Sequence, residues 1–137
     1  MLFRSGTMED NQLEWLAQQL DQRKDKPTLV FAHYNPLPTH GIRPSRGMPE
    51  GRKLLNLIAE RKHAKAFFHG HTHEWQQSRD GPIHIIAQPP VSYYFGKGHA
   101  HGWVDMNLSQ TTADLELRCI DPKHKQHGEK KQISLKS

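Results

Sequence analysis

Two short apolar runs constrain this chain more than any other feature. Thr28-Leu29-Val30-Phe31-Ala32 and Ala64-Lys65-Ala66-Phe67-Phe68 are of strand length, too short for helices, and poor in polar residues. Such runs belong to strands covered on both faces, as in a parallel sheet. Between them, Lys53 to Arg61 places Leu54, Leu57 and Ile58 on one helical stripe. Ahead of the first run, Leu13, Trp15, Leu16 and Leu20 recur at helical spacing, with Thr7 as the expected cap and Asp10 three residues on. The order helix, strand, helix, strand gives parallel strands joined by a crossover.

The second half reads differently. Ile83 to Ala87 is a third strand after the turn Asp80-Gly81-Pro82, and Gln88-Pro89-Pro90 breaks it. Trp103–Leu108 and Leu115–Ile120 flank the turn Ser109 to Asp114 and suggest an antiparallel pair. Asp121-Pro122 is expected to end the ordered part. The fold class is therefore α/β: two helix-strand units followed by a mostly antiparallel β segment, with residues 1–122 as the domain and 123–137 as a flexible basic tail.

Charge supports that division. The net charge is +5, and residues 123–137 carry five lysines against the single acid Glu129. No aromatic residues interleave with those lysines, so a solvated tail is expected and nucleic-acid binding is not. No run approaches the roughly 18 apolar residues of a membrane span, and the first residues hold no apolar stretch of signal-peptide length. The one cysteine, Cys119, reads as a small apolar residue on a strand.

The chain has 11 histidines, and their placement is informative. His33 follows the first apolar run, in Phe31-Ala32-His33-Tyr34-Asn35-Pro36. His69-Gly70-His71-Thr72-His73 follows the second. Sites in open α/β sheets form beyond the carboxyl ends of strands, so adjacent parallel strands would bring His33 near His71 and His73. Gly70 is expected to let the backbone turn there. The loop from Asn35 to Pro49, with four prolines and two glycines, is long enough to be functional. Asn35 and His69, and further on His99 and His101, are candidates for outer-shell or substrate-cleft roles. His63, near a helix end, reads as structural, and His124 and His127 as tail residues.

Gly70-His71-Thr72-His73, together with His33 and Pro36, resembles the last two histidine motifs of the calcineurin-like metallophosphoesterases. The resemblance runs over roughly residues 7–120. It implies the C-terminal half of that family's αββα sandwich. It also implies two metal ions drawn from Mn, Fe and Zn, with His33 and His71 on one and His73 on the other. The implied reaction is phosphoester hydrolysis by hydroxide generated on the metals.

The family's Asp-x-His, Gly-Asp and Asn-His motifs do not occur in these 137 residues. Three neutral imidazoles cannot balance two divalent cations, so the chain is expected to supply only part of the site. The alternatives are a non-catalytic histidine module binding one ion and an inactive fragment. Self-association through uncovered sheet edges is a further expectation.

Overall fold

The computed structural model describes residues 6–41, 43–92 and 98–136. Helix α1 spans Asp10–Asp21. Its cap is Glu9, whose backbone N–H donates to Gln12 Oε1 at 2.9 Å, in place of the expected Thr7. Leu13 and Leu20 are buried, whereas Trp15, two residues from Leu13 and so on another helical face, is 60% exposed.

Strand β1 (Thr28–Ala32) is followed by the long loop and then by α2 (Gly51–Ala59). This helix starts and ends two residues earlier than the pattern suggested. Leu55 joins Leu54 and Ile58 as a buried residue. Gly51 begins α2 against the Pro36 carbonyl, where no side chain fits.

Strand β2 (Ala64–His69) pairs parallel with β1, and Ala32 lies opposite His69. The next two strands form a hairpin, β3 (Gln76–Asp80) and β4 (Ile83–Ala87), joined through Gly81 at φ 55°. The first sheet has the order β1-β2-β4-β3 and is parallel except for β3. Strand β3 leaves no trace in the sequence pattern, because Gln76-Gln77-Ser78-Arg79-Asp80 has no apolar alternation. Polar edge strands are one way sheets avoid unwanted pairing.

Strand β1 corrects the expectation of burial on both faces. It lies at the other edge, no residue of it is fully buried, and Phe31 is 59% exposed while stacking on Phe68 at 4.6 Å. Its composition is that of an interior strand, yet among the described residues only β2 pairs with it.

Strands β5 (Gly102–Leu108), β6 (Thr112–Cys119) and β7 (Lys130–Ser134) make an antiparallel second sheet. The flexible tail is thus a second correction. The chain turns after Cys119 and returns as β7, with Ile133 fully buried and Leu135 nearly so. Lys130 and Lys136 are exposed, whereas Lys131 lies over the Trp75 ring with its ammonium 4.7 Å from the ring centre, so lysine content hid a strand from a reading based on charge.

Two cores result. Ala113, Leu115, Leu117 and Ile133 of the second sheet pack on Ala66, Phe68 and Ile86 of the first. On the opposite face, Leu13, Leu20, Leu54 and Ile58 of the helices pack on Phe67, Ile83 and Ile85. The central strand β2 feeds both cores, since Phe67 and Phe68 point to opposite sides of the sheet. The architecture is mixed α/β, with helices, sheet and sheet in successive layers. No described helix is long and apolar enough to cross a membrane.

Candidate metal site at the strand ends

His33 stands one residue beyond β1, and Gly70 one residue beyond β2. The two strands hold them side by side, with the Gly70 N–H donating to the His33 carbonyl at 3.0 Å. From there the chain leaves the sheet through two left-handed residues, His71 and His73, each at φ 58°. Gly70 itself has no left-handed φ, and a β-carbon on it would meet His33 Nδ1 at an ordinary 3.5 Å. The expected role of Gly70 in the turn thus belongs to the two histidines. Residues with a β-carbon are uncommon in that region and cost about 1–2 kcal/mol each there, and such strain gathers at functional sites. Between them Thr72 is fully buried, and its N–H donates to the Gly70 carbonyl at 2.6 Å across His71.

This geometry brings His71 against the two residues that follow β1. The His33 and His71 rings lie 5.6 Å apart, steeply inclined. Tyr34, which the sequence reading did not single out, packs on both, 5.1 Å from His33 and 4.6 Å from His71. Its position directly after a strand-end histidine was the only available signal.

His73 belongs to the same electrostatic neighbourhood. Burial, then the Arg43 and His33 charges, hold its pKa below the ordinary imidazole value. It is therefore neutral near pH 7, the form that ligates metals. Among the described residues, no three His, Cys, Asp or Glu side chains converge well enough to hold a metal ion.

The remaining candidates divide. His69 is buried under the cluster with Nδ1 3.0 Å from the Gly70 carbonyl, and burial pushes its pKa down. Asn35 is buried at the base of the loop, where its Nδ2 donates to the Leu37 carbonyl at 2.5 Å and its carbonyl accepts the Met48 N–H at 3.0 Å. His101 places Nε2 2.7 Å from the Val91 carbonyl, and its own carbonyl accepts the Ile120 N–H. His99 is exposed on the surface. A depression of about 290 Å³ opens beside His33, His69, Gly70 and Gln88 at the strand ends.

The calcineurin-like phosphoesterase family profile matches residues 2–75, more than half of the chain, and its span includes His33, His71 and His73. The chain belongs to the calcineurin-like phosphoesterase family. It is 35% identical over 79 residues to a probable cyclic nucleotide phosphodiesterase of Pseudoalteromonas sp. (strain SM9913), covering 58% of this chain and 30% of that protein. It is 36% identical over 85 residues to the glycerophosphodiester phosphodiesterase GpdQ of Enterobacter lignolyticus, covering 61% of this chain and 31% of the relative. A dimetal phosphatase from Danio rerio shares the fold at a TM-score of 0.68 and 18% identity, over 94% of this chain and 39% of that one. The chain spans about a third of the length of these curated relatives. The family is one of phosphoester hydrolases.

Proposed function

We propose that this chain carries the histidine-bearing part of a metal-dependent phosphoester hydrolase site. His33 and His71 would ligate one ion and His73 a second. The observation that carries the reading is the approach of the His33 and His71 rings to 5.6 Å at the ends of two parallel strands. Imidazole donors suit Mn, Fe and Zn alike. The donor set fits such ions in kind but not in number, because the described residues bring no three donors together. Carboxylate ligands would therefore come from outside them. Ions bound there would supply Lewis acidity toward a phosphoryl oxygen and acidify a water.

Two of the relatives named above are phosphodiesterases, of cyclic nucleotides and of glycerophosphodiesters. We carry that substrate class, phosphodiesters, to the complete site. The 137-residue chain alone should not turn over p-nitrophenyl phosphate or its bis ester. Turnover that His73→Ala removes would refute the claim that ligands are lacking.

The open edge of β1 supports self-association. An apolar groove of about 760 Å³ runs between α1 and β1, with Trp15, Leu16 and Val30 among its walls. Sedimentation velocity tests this reading, and a concentration-independent monomer would end it.

A further inference from the structure

Three aromatic rings close on one another at the strand ends. Tyr34 stands edge-on to His33 at 5.1 Å and lies 4.6 Å from His71 at a tilt of 49°, and the two imidazoles are 5.6 Å apart. Aromatic groups attract and orient each other at such separations. Tyr34 is half-buried and packs against the core on the helical side of the first sheet. His33, by contrast, is exposed, and His71 is only partly buried. The ring anchored in the core therefore braces the two beside it.

Tyr34 is itself held by three other parts of the chain. A β-carbon at Gly6 would overlap the Tyr34 ring, so the bare backbone there lies against it. Two residues on, the Met8 N–H donates to Glu50 Oε2 at 3.1 Å, which ties this segment to the start of α2. Gly51, the first residue of α2, abuts the carbonyl of Pro36, two residues after Tyr34. The segment before α1 and the two ends of the long loop thus meet around one ring.

The resulting spacing suits a shared ligand. Imidazole nitrogen ligates zinc at about 2.0–2.1 Å, so two rings on one ion stand about 5–6 Å apart, centre to centre. The His33–His71 separation falls in that range. A side chain already held near its binding position loses less freedom when it binds, and affinity rises.

We propose that Tyr34 is a positioning residue, whose ring sets the spacing and rotamers of His33 and His71 and is kept in place by Gly6. This rests on the reading of those two histidines as ligands of one ion, and it names the residue that aims them. The role belongs to the ring and not to the hydroxyl.

The test uses the full 137-residue chain. In EDTA, three-bond NMR couplings across the His71 Cα–Cβ bond should report one rotamer in the wild-type chain and in Tyr34→Phe, and averaged rotamers in Tyr34→Leu. Gly6→Ala crowds the ring without removing it and should also shift the His71 rotamer population. In Co2+ titrations, Tyr34→Leu should weaken binding about tenfold, the lower end for loss of a group that supports a metal ligand, and Tyr34→Phe by about twofold or less. Averaged His71 rotamers in the wild-type chain, a Tyr34→Phe variant as impaired as Tyr34→Leu, or an unmoved His71 in both Tyr34→Leu and Gly6→Ala would overturn the proposal. The wild-type and Gly6→Ala measurements decide it even where Tyr34→Leu does not fold. A His71 rotamer released by Tyr34→Leu in a chain that takes up no Co2+ would uphold the positioning role and break the ligand reading. Co2+ uptake lost in His71→Ala but unchanged in Tyr34→Leu would do the reverse.

Discussion

The molecule has two groups of histidines, and they are built in opposite ways. At the strand ends, His33, His71 and His73 sit within four residues of the sheet, two of them in left-handed backbone, with the rings of His33 and His71 edge-on at 5.6 Å. Around Cys119 at the far end of the second sheet, the rings act as struts. His127 Nδ1 accepts the Cys119 N–H at 3.1 Å, His124 Nε2 lies 3.2 Å from the Gly98 carbonyl, and His101 Nε2 lies 2.7 Å from the Val91 carbonyl. One group puts strain into the backbone to aim side chains. The other uses side chains to hold the backbone. Residue type alone does not distinguish a ligand from a strut, whereas backbone conformation and ring partners do.

Four substitutions sharpen that contrast. The largest effect should come from Ile133→Ala, which empties a fully buried position in β7 and should cost about 2–4 kcal/mol in urea unfolding. A loss below about 0.5 kcal/mol would restore the flexible tail. Next, His127→Ala leaves the buried Cys119 N–H without its acceptor and should cost about 1–3 kcal/mol, with no change in metal uptake. At the strand ends the sign should reverse. His71→Gly relieves a left-handed residue, and after the entropy glycine adds to the unfolded chain the metal-free protein should gain up to about 1 kcal/mol. A destabilised His71→Gly would mean that this histidine, too, is a strut.

The smallest effect concerns pH. Burial first, and the Arg79 charge second, hold the His84 pKa below the ordinary value of 6.5, and Gln77 Nε2 donates to its Nδ1 at 3.0 Å. The unfolded chain then takes up the proton more readily than the folded one. Stability should be complete above 6.5 and should fall as pH drops from there to the folded-state pKa. His84→Gln should flatten that part of the pH profile, and an unchanged slope would remove His84 as its source.

The sequence made legible what apolar composition marks. Strands β1, β2 and β4 and both helices appeared as runs or stripes, and the strand-end histidines followed from the first two. Strand β3 was hidden because a polar edge strand has no pattern to read, and β7 because its one fully buried apolar residue, Ile133, stands among lysines and other polar residues. The burial of β1 was overestimated, since Leu29, Val30 and Phe31 describe an interior strand while the described residues give it one neighbour. Within the site, Tyr34 is not legible because its role depends on where its ring is placed, which spacing does not encode. The left-handed turns at His71 and His73 were credited to Gly70 for a related reason: glycine permits such a turn, but the structure puts it at the histidines.

The most direct test of the strand-end group is zinc stoichiometry by equilibrium dialysis of the 137-residue chain, beside His71→Ala and His127→Ala. The expected result is no more than one weakly held ion per chain, lost in His71→Ala and kept in His127→Ala. Two tightly held ions, or an ion that survives His71→Ala and leaves with His127→Ala, would contradict the assignment of the two histidine groups.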